Sequence, residues 1–113
     1  MNTPLTLTSL GAPLMALRLF ADVYRHLPAP CVSISTVYPN RLELAFHEDL
    51  DGFEMWCQAL GIRPVNVQHG VQGGGSTRVL KAETNYSGGV VRLVGYAAIP
   101  TLEGTRSRSE GAS

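Results

Sequence analysis

The strongest constraint on the fold is a pair of alternating segments joined by two glycines. From Val79 to Tyr86, and again from Val91 to Tyr96, residues of similar character recur at every second position. Such alternation is typical of a β-strand with two different faces. Gly88-Gly89 suits a two-residue turn, because turns of this kind need positive φ angles. The sequence therefore predicts a hairpin in which Tyr86 pairs with Val91.

An earlier pair of alternating runs, residues 31–38 and 42–46, predicts a first hairpin. We place its loop at Pro39-Asn40-Arg41 for two reasons. A two-residue loop would require a positive φ of proline, which the pyrrolidine ring forbids. A three-residue loop also pairs Ile34 with Phe46, which aligns the apolar side chains on one face of the hairpin.

Two segments show the residue spacing of amphipathic helices. The first is expected from Pro13 to His26, because proline suits the first turn of a helix. The second begins after Asp49, whose side chain can cap the helix. It ends at Gly61, since glycine favours the left-handed conformation found just beyond a helix C-terminus. The apolar stripe of this second helix consists of Leu50, Phe53, Trp56, Cys57 and Leu60.

Together these segments predict one α+β domain over residues 13–99. A further strand is expected at 65–72, followed by a flexible connection at 73–76, so the order is α-β-β-α-β-β-β. The simplest packing places both helices on one face of a mostly antiparallel sheet of about five strands and leaves the other face polar. Residues 1–12 are expected to form an N-terminal arm or an edge strand, and residues 100–113 a flexible tail.

The charge balance argues against a protein held to nucleic acid or acidic lipid mainly by bulk charge, since nine basic residues match nine acidic ones among 113. The first basic residue is Arg18, so the positively charged start of a signal peptide is missing. No stretch approaches the ~20 apolar residues of a membrane span. Cys31 and Cys57 form no CxxC pair, which argues against a zinc ribbon or a thioredoxin-type centre. We therefore expect a cytoplasmic protein with reduced thiols.

The polar clusters of the sequence match no catalytic or cofactor-binding motif. His47 precedes an acidic run, but the HExxH spacing is missing and helix capping explains Asp49. His69 has no acidic neighbour in sequence to orient it as a general base. The loop 73–78 lacks the lysine and the following helix of a phosphate-binding loop. We predict no catalytic residue, no cofactor and no metal site. An enzyme with His47 or His69 in its site is a third alternative.

The main functional prediction is contact with a protein partner or with a second copy. Val94 and Tyr96 fall on the strand face opposite the core, together with Lys81 and Arg92. Apolar side chains on such a face would form an exposed patch, and exposed patches often mark an interface. We therefore predict a non-enzymatic binding protein whose partner-binding residues are Lys81, Arg92, Val94 and Tyr96.

A nucleic-acid-binding regulator is the principal alternative. A basic sheet face with an aromatic side chain is one way to hold single strands. Against this interpretation, Glu83 lies between the basic positions and no RNP motif occurs. The residues this alternative would use are Arg78, Lys81, Arg92, Arg106 and Arg108.

The segment HEDLDGFEMWCQALGI, together with the arginine-biased composition, resembles small proteins of actinobacteria and of their phages and plasmids. The resemblance covers residues 40–63 and consists of a capped amphipathic helix. It implies no catalytic residues. It implies an accessory role in a mobile element, such as plasmid transfer or phage regulation.

Overall fold

The helices and strands follow the predicted order, and the α+β class is confirmed in a computed structural model that describes residues 4–99. One-turn 3₁₀ helices precede α1 and β3, at Leu7–Leu10 and Pro64–Asn66. Leu5 and Leu7 therefore belong to no strand, and the predicted tail lies outside the described residues. The elements are α1 (Gly11–Val23), β1 (Cys31–Ser35), β2 (Tyr38–His47), α2 (Leu50–Ala59), β3 (Gln68–Gln72), β4 (Thr77–Tyr86) and β5 (Gly89–Ala98).

The five strands form one sheet in the order β1-β2-β5-β4-β3. Neighbouring strands are antiparallel except for the central pair, β2 and β5, which is parallel. A parallel pair needs a long connection. Here α2, β3 and β4 together supply it, because the β3–β4–β5 meander returns the chain to the side of β2. The prediction of a mostly antiparallel sheet is confirmed.

The first hairpin turns earlier than predicted. Its turn is Thr36-Val37 rather than Pro39-Asn40-Arg41, which pairs Ser35 with Tyr38. The register then shifts between Ser35 and Ile34, so that Ile34 pairs with Leu42 and not with Phe46. Pro39 instead lies inside β2, ahead of Arg41, where the pairing with β5 begins, so its missing N–H costs no bond to that strand. The two registers differ by an even number of residues, and the predicted faces are therefore retained.

The second hairpin turns at Ser87-Gly88, one residue before the predicted glycine pair, and Tyr86 pairs with Gly89. Ser87 and Gly88 both have positive φ, 47° and 80°. Gly89 serves a different purpose, because a Cβ atom there would lie 2.6 Å from the carbonyl oxygen of Asn40 on β2. The shift is again an even number of residues, so the predicted faces are correct.

Both helices pack on one face of the sheet and enclose the core. Leu42, Leu44 and Leu93 are fully buried beneath them. An aromatic cluster joins the helices, with Trp56 of α2 edge-on to Phe20 of α1. The Trp56 indole N–H also donates a 2.8 Å hydrogen bond to the Pro28 carbonyl, which ties α2 to the segment before β1.

Replacing Trp56 with alanine should lower the free energy of unfolding by about 3–5 kcal/mol, because a large buried ring is lost and a cavity remains. Trp56→Phe is the matched control. It keeps most of the packing and should cost only about 1–2 kcal/mol, from the lost hydrogen bond and the smaller ring. Urea or guanidinium melts measure both values. A loss below about 1 kcal/mol for Trp56→Ala would contradict this packing.

The two cysteines occupy different environments. Cys31 is exposed on the edge strand β1, whereas Cys57 is buried on the stripe of α2, and both are free thiols. Burial, with a smaller contribution from the nearby Glu54 carboxylate, raises the pKa of the Cys57 thiol from 9.0 to about 11. The folded protein therefore favours the neutral thiol.

This shift predicts a loss of stability in alkali. An unfolded Cys57 ionises near 9.0, while the folded thiol resists ionisation up to about 11, so the stabilisation is complete below pH 9 and is lost as the pH rises through this window. Denaturant melts from pH 8 to 11 should show a steeper decline for wild type than for Cys57→Ala. Parallel declines would show that this thiol does not contribute.

Candidate protein-interaction surfaces

The side of the sheet away from the helices, called the open face below, carries the four predicted partner-binding residues. Lys81 on β4 pairs directly with Val94 on β5, and Arg92 and Tyr96 lie two positions to either side of Val94 along β5. The open face also includes Arg41, Glu43, Ala45, His47, Val79, Glu83, Asn85 and Val90.

Val94 does not form the exposed patch that the sequence predicted. It is only 2% exposed, although neither α1 nor α2 covers this side of the sheet. Its position explains the burial, because it lies on the central strand between Ala45 and Lys81, with Arg92 and Tyr96 before and after it. The open face therefore has an apolar centre that is already shielded, surrounded by longer side chains that reach solvent.

Charges of both signs lie beside this centre. The Arg92 guanidinium Nε is 3.7 Å from a carboxylate oxygen of Glu43, and both side chains keep partial exposure. Glu83 pairs with Arg92 from the other side, on β4. The Nε atom itself is buried and makes no hydrogen bond. Glu43 and Glu83 are thus the cross-strand neighbours of Arg92, and a partly exposed ion pair with its atoms 3.7 Å apart contributes little to stability.

The residues at the end of β2 and just after it make structural contacts. The His47 ring stacks on Tyr96 with centroids 5.0 Å apart. Glu48, at a positive φ of 55°, continues the sheet, since its backbone N–H donates to the Tyr96 carbonyl and its carboxylate accepts a bond from the Ala98 N–H. The Asp49 side chain accepts a 3.0 Å hydrogen bond from the Gly52 N–H, so the predicted cap of α2 is confirmed.

The residues of the nucleic-acid alternative do not all converge. Lys81 and Arg92 share the open face, but Arg78 is an odd number of positions from Lys81 on β4 and so lies on the helix side. Arg106 and Arg108 lie outside the described residues. The basic residues that do meet are therefore Lys81 and Arg92, with Glu43 and Glu83 next to Arg92.

A second surface was not anticipated from the sequence. A groove of about 560 Å³ separates α2 from the outer strands β3 and β4 on the helix side of the sheet, and we call it the α2–β3 groove. Phe53, Ile62 and Leu80 give it an apolar floor, while Asp51 and Glu54 supply carboxylates from α2. His69 also lines it, exposed on β3.

Simple dimensions could have indicated this groove. A helix is about 10 Å wide and strands lie about 4.8 Å apart, so two helices cover about four strands. Because β2 and β5 lie at the centre beneath both helices, β3 is left bare, and every one of its residues is exposed. Predicting which strand stays bare required the strand order, which the sequence does not state.

Within the described part of the chain, no three His, Cys, Asp or Glu side chains come together as a metal site would require. No helix between residues 4 and 99 is long and apolar enough to cross a membrane. Comparisons with protein-family models, with curated proteins and with solved structures found no match for this chain.

Proposed function

We propose that this protein is a non-enzymatic binding module that acts through protein–protein contact, and that two copies associate through the open face. The observation that carries the proposal is the organisation of that face. Val94 and Val79 form a dry centre, and partly exposed aromatic and charged side chains surround it. An apolar centre within a polar rim is the usual anatomy of a protein interface.

The dimensions of the sheet support a second copy as the occupant. Three strands of ten residues and two of five make up the sheet. At about 3.3 Å per residue and 4.8 Å per strand, the open face covers roughly 600 Å². Two such faces would bury roughly 1,200 Å², the lower end of the range for specific interfaces.

The charges also favour a second copy. Arg41, Lys81 and Arg92 share the open face with Glu43 and Glu83. In a two-fold interface each surface meets itself, so a face that carries both signs can place acid against base. A partner of one dominant charge, such as nucleic acid, would bring like charges together at Glu43 and Glu83.

We further propose a cytoplasmic setting and an accessory role in a mobile element. The exposed, unpaired Cys31 supports the first point, because such thiols persist in reducing compartments. The second point rests on the resemblance of the α2 segment.

Tyr96→Glu should leave the chain folded and abolish self-association, because Tyr96 is half-exposed in one copy and the interface would lose an aromatic contact and have to desolvate a new carboxylate. Val23→Glu is the matched control, since Val23 is 55% exposed on α1, on the other side of the sheet. Light scattering after size-exclusion chromatography should give about twice 12.1 kDa for wild type and for Val23→Glu, and 12.1 kDa for Tyr96→Glu.

Two results would contradict the proposal. One is a monomeric wild type at millimolar concentration. The other is a dimer that Tyr96→Glu leaves intact, which would place the interface elsewhere. Circular dichroism of each variant shows whether it has kept the native fold.

A further inference from the structure

We infer that the α2–β3 groove receives an extended, basic segment of a partner protein, which adds to the sheet as a strand beside β3. This inference rests on the proposed function, since it assigns a second protein contact to the same module. It concerns the opposite side of the sheet from the open face. A dimer through the open faces would therefore leave both grooves accessible.

The first supporting observation is the unprotected edge of β3. Its sequence, Gln68–Gln72, contains no lysine, glutamate, aspartate or proline, and all five residues are exposed. Proteins normally protect sheet edges with charges, prolines or covering elements, because a free edge pairs with other chains. Among residues 4–99, no strand pairs with the outer side of β3, and β3 itself carries none of these charges or prolines.

The second observation is the position of the groove beside this edge. Side chains of a strand alternate between the two faces of a sheet. A segment added to β3 would direct every second side chain toward the helix side, next to His69, which pairs with the floor residue Leu80 of β4. Recognition between an edge strand and a helix combines backbone hydrogen bonds with pockets for alternate side chains.

The third observation is charge. Asp51 and Glu54 project from α2 into the groove lining, and no lysine or arginine is among the residues that line it. Apolar side chains of the incoming segment would fill the floor, while a lysine or arginine would meet these carboxylates. A second copy of β3 would bring no lysine or arginine, so the occupant with complementary charge is a basic segment of another protein.

The test begins with a phage-displayed library of random nonapeptides panned on the immobilised full-length protein. Peptides with apolar residues at alternate positions and at least one lysine or arginine should be enriched. The best peptide is then synthesised with a fluorescent label, and its affinity is measured by polarisation. Glu54→Lys should weaken binding about three- to tenfold, as loss and reversal of a rim charge does. Asp22→Lys, an exposed acidic position on α1, is the matched control and should bind as wild type does.

Hydrogen exchange distinguishes strand addition from other modes of docking. Amides within Gln68–Gln72 that face outward should gain protection when the peptide binds, and a peptide N-methylated at alternate positions should bind at least tenfold more weakly. Three results would overturn the inference: the library yields no enriched sequence, it yields acidic sequences, or the peptide binds without protecting the β3 amides. Tyr96→Glu should bind the peptide normally, so failure of the open-face dimer and failure of the groove remain distinguishable.

Discussion

The parallel pairing of β2 with β5 is the contact on which the rest of the structure depends. It runs from Arg41 opposite Val90 to His47 opposite Tyr96, and it joins segments that are distant in sequence. On the helix side it aligns Leu42 with Val91 and Leu44 with Leu93, four side chains that are at most 1% exposed. Burial of these side chains is the main compensation for the entropy of closing so long a connection.

The other elements are placed around this pair. α1 lies over β2 and α2 spans β5 and β2, while β1 and the β3–β4 hairpin extend the sheet on its two sides. Gly95 allows this arrangement, because a Cβ atom there would lie 2.9 Å from the Leu50 side chain of α2. Since both helices pack over the centre of the sheet, neither of them covers the outer strand β3 or the opposite face. The two proposed contact surfaces are thus consequences of where the core is closed.

Local sequence patterns correctly predicted the features that depend on neighbouring residues alone. Periodicity identified the helices, the strands and the faces of each strand, and Asp49 predicted the start of α2. Both hairpin turns lie earlier in the sequence than predicted, because contacts between distant segments determine where the chain turns. Gly89 is needed where β5 passes the Asn40 carbonyl, so Ser87 takes one of the positive φ angles. Pro39 is tolerated within β2 because β5 pairing begins only at Arg41.

For the candidate surfaces, too, the sequence predicted what is local and missed what depends on distant segments. Alternation correctly placed Lys81, Arg92, Val94 and Tyr96 on one face. It could not show that Val94 is shielded, since that depends on Ala45 of a strand distant in sequence. The α2–β3 groove was missed entirely, because it exists only once the order of the strands is known.

The central claim, that the open face is a contact between copies, is tested most directly by methyl NMR with a soluble gadolinium chelate at low and high protein concentration. Val90 reports on the open face, and Val71, 60% exposed on the helix side of β3, reports on the groove side. The account predicts that the Val90 methyl signals broaden at low concentration and become protected at high concentration, while those of Val71 broaden at both. Equal broadening of Val90 at every concentration would contradict it.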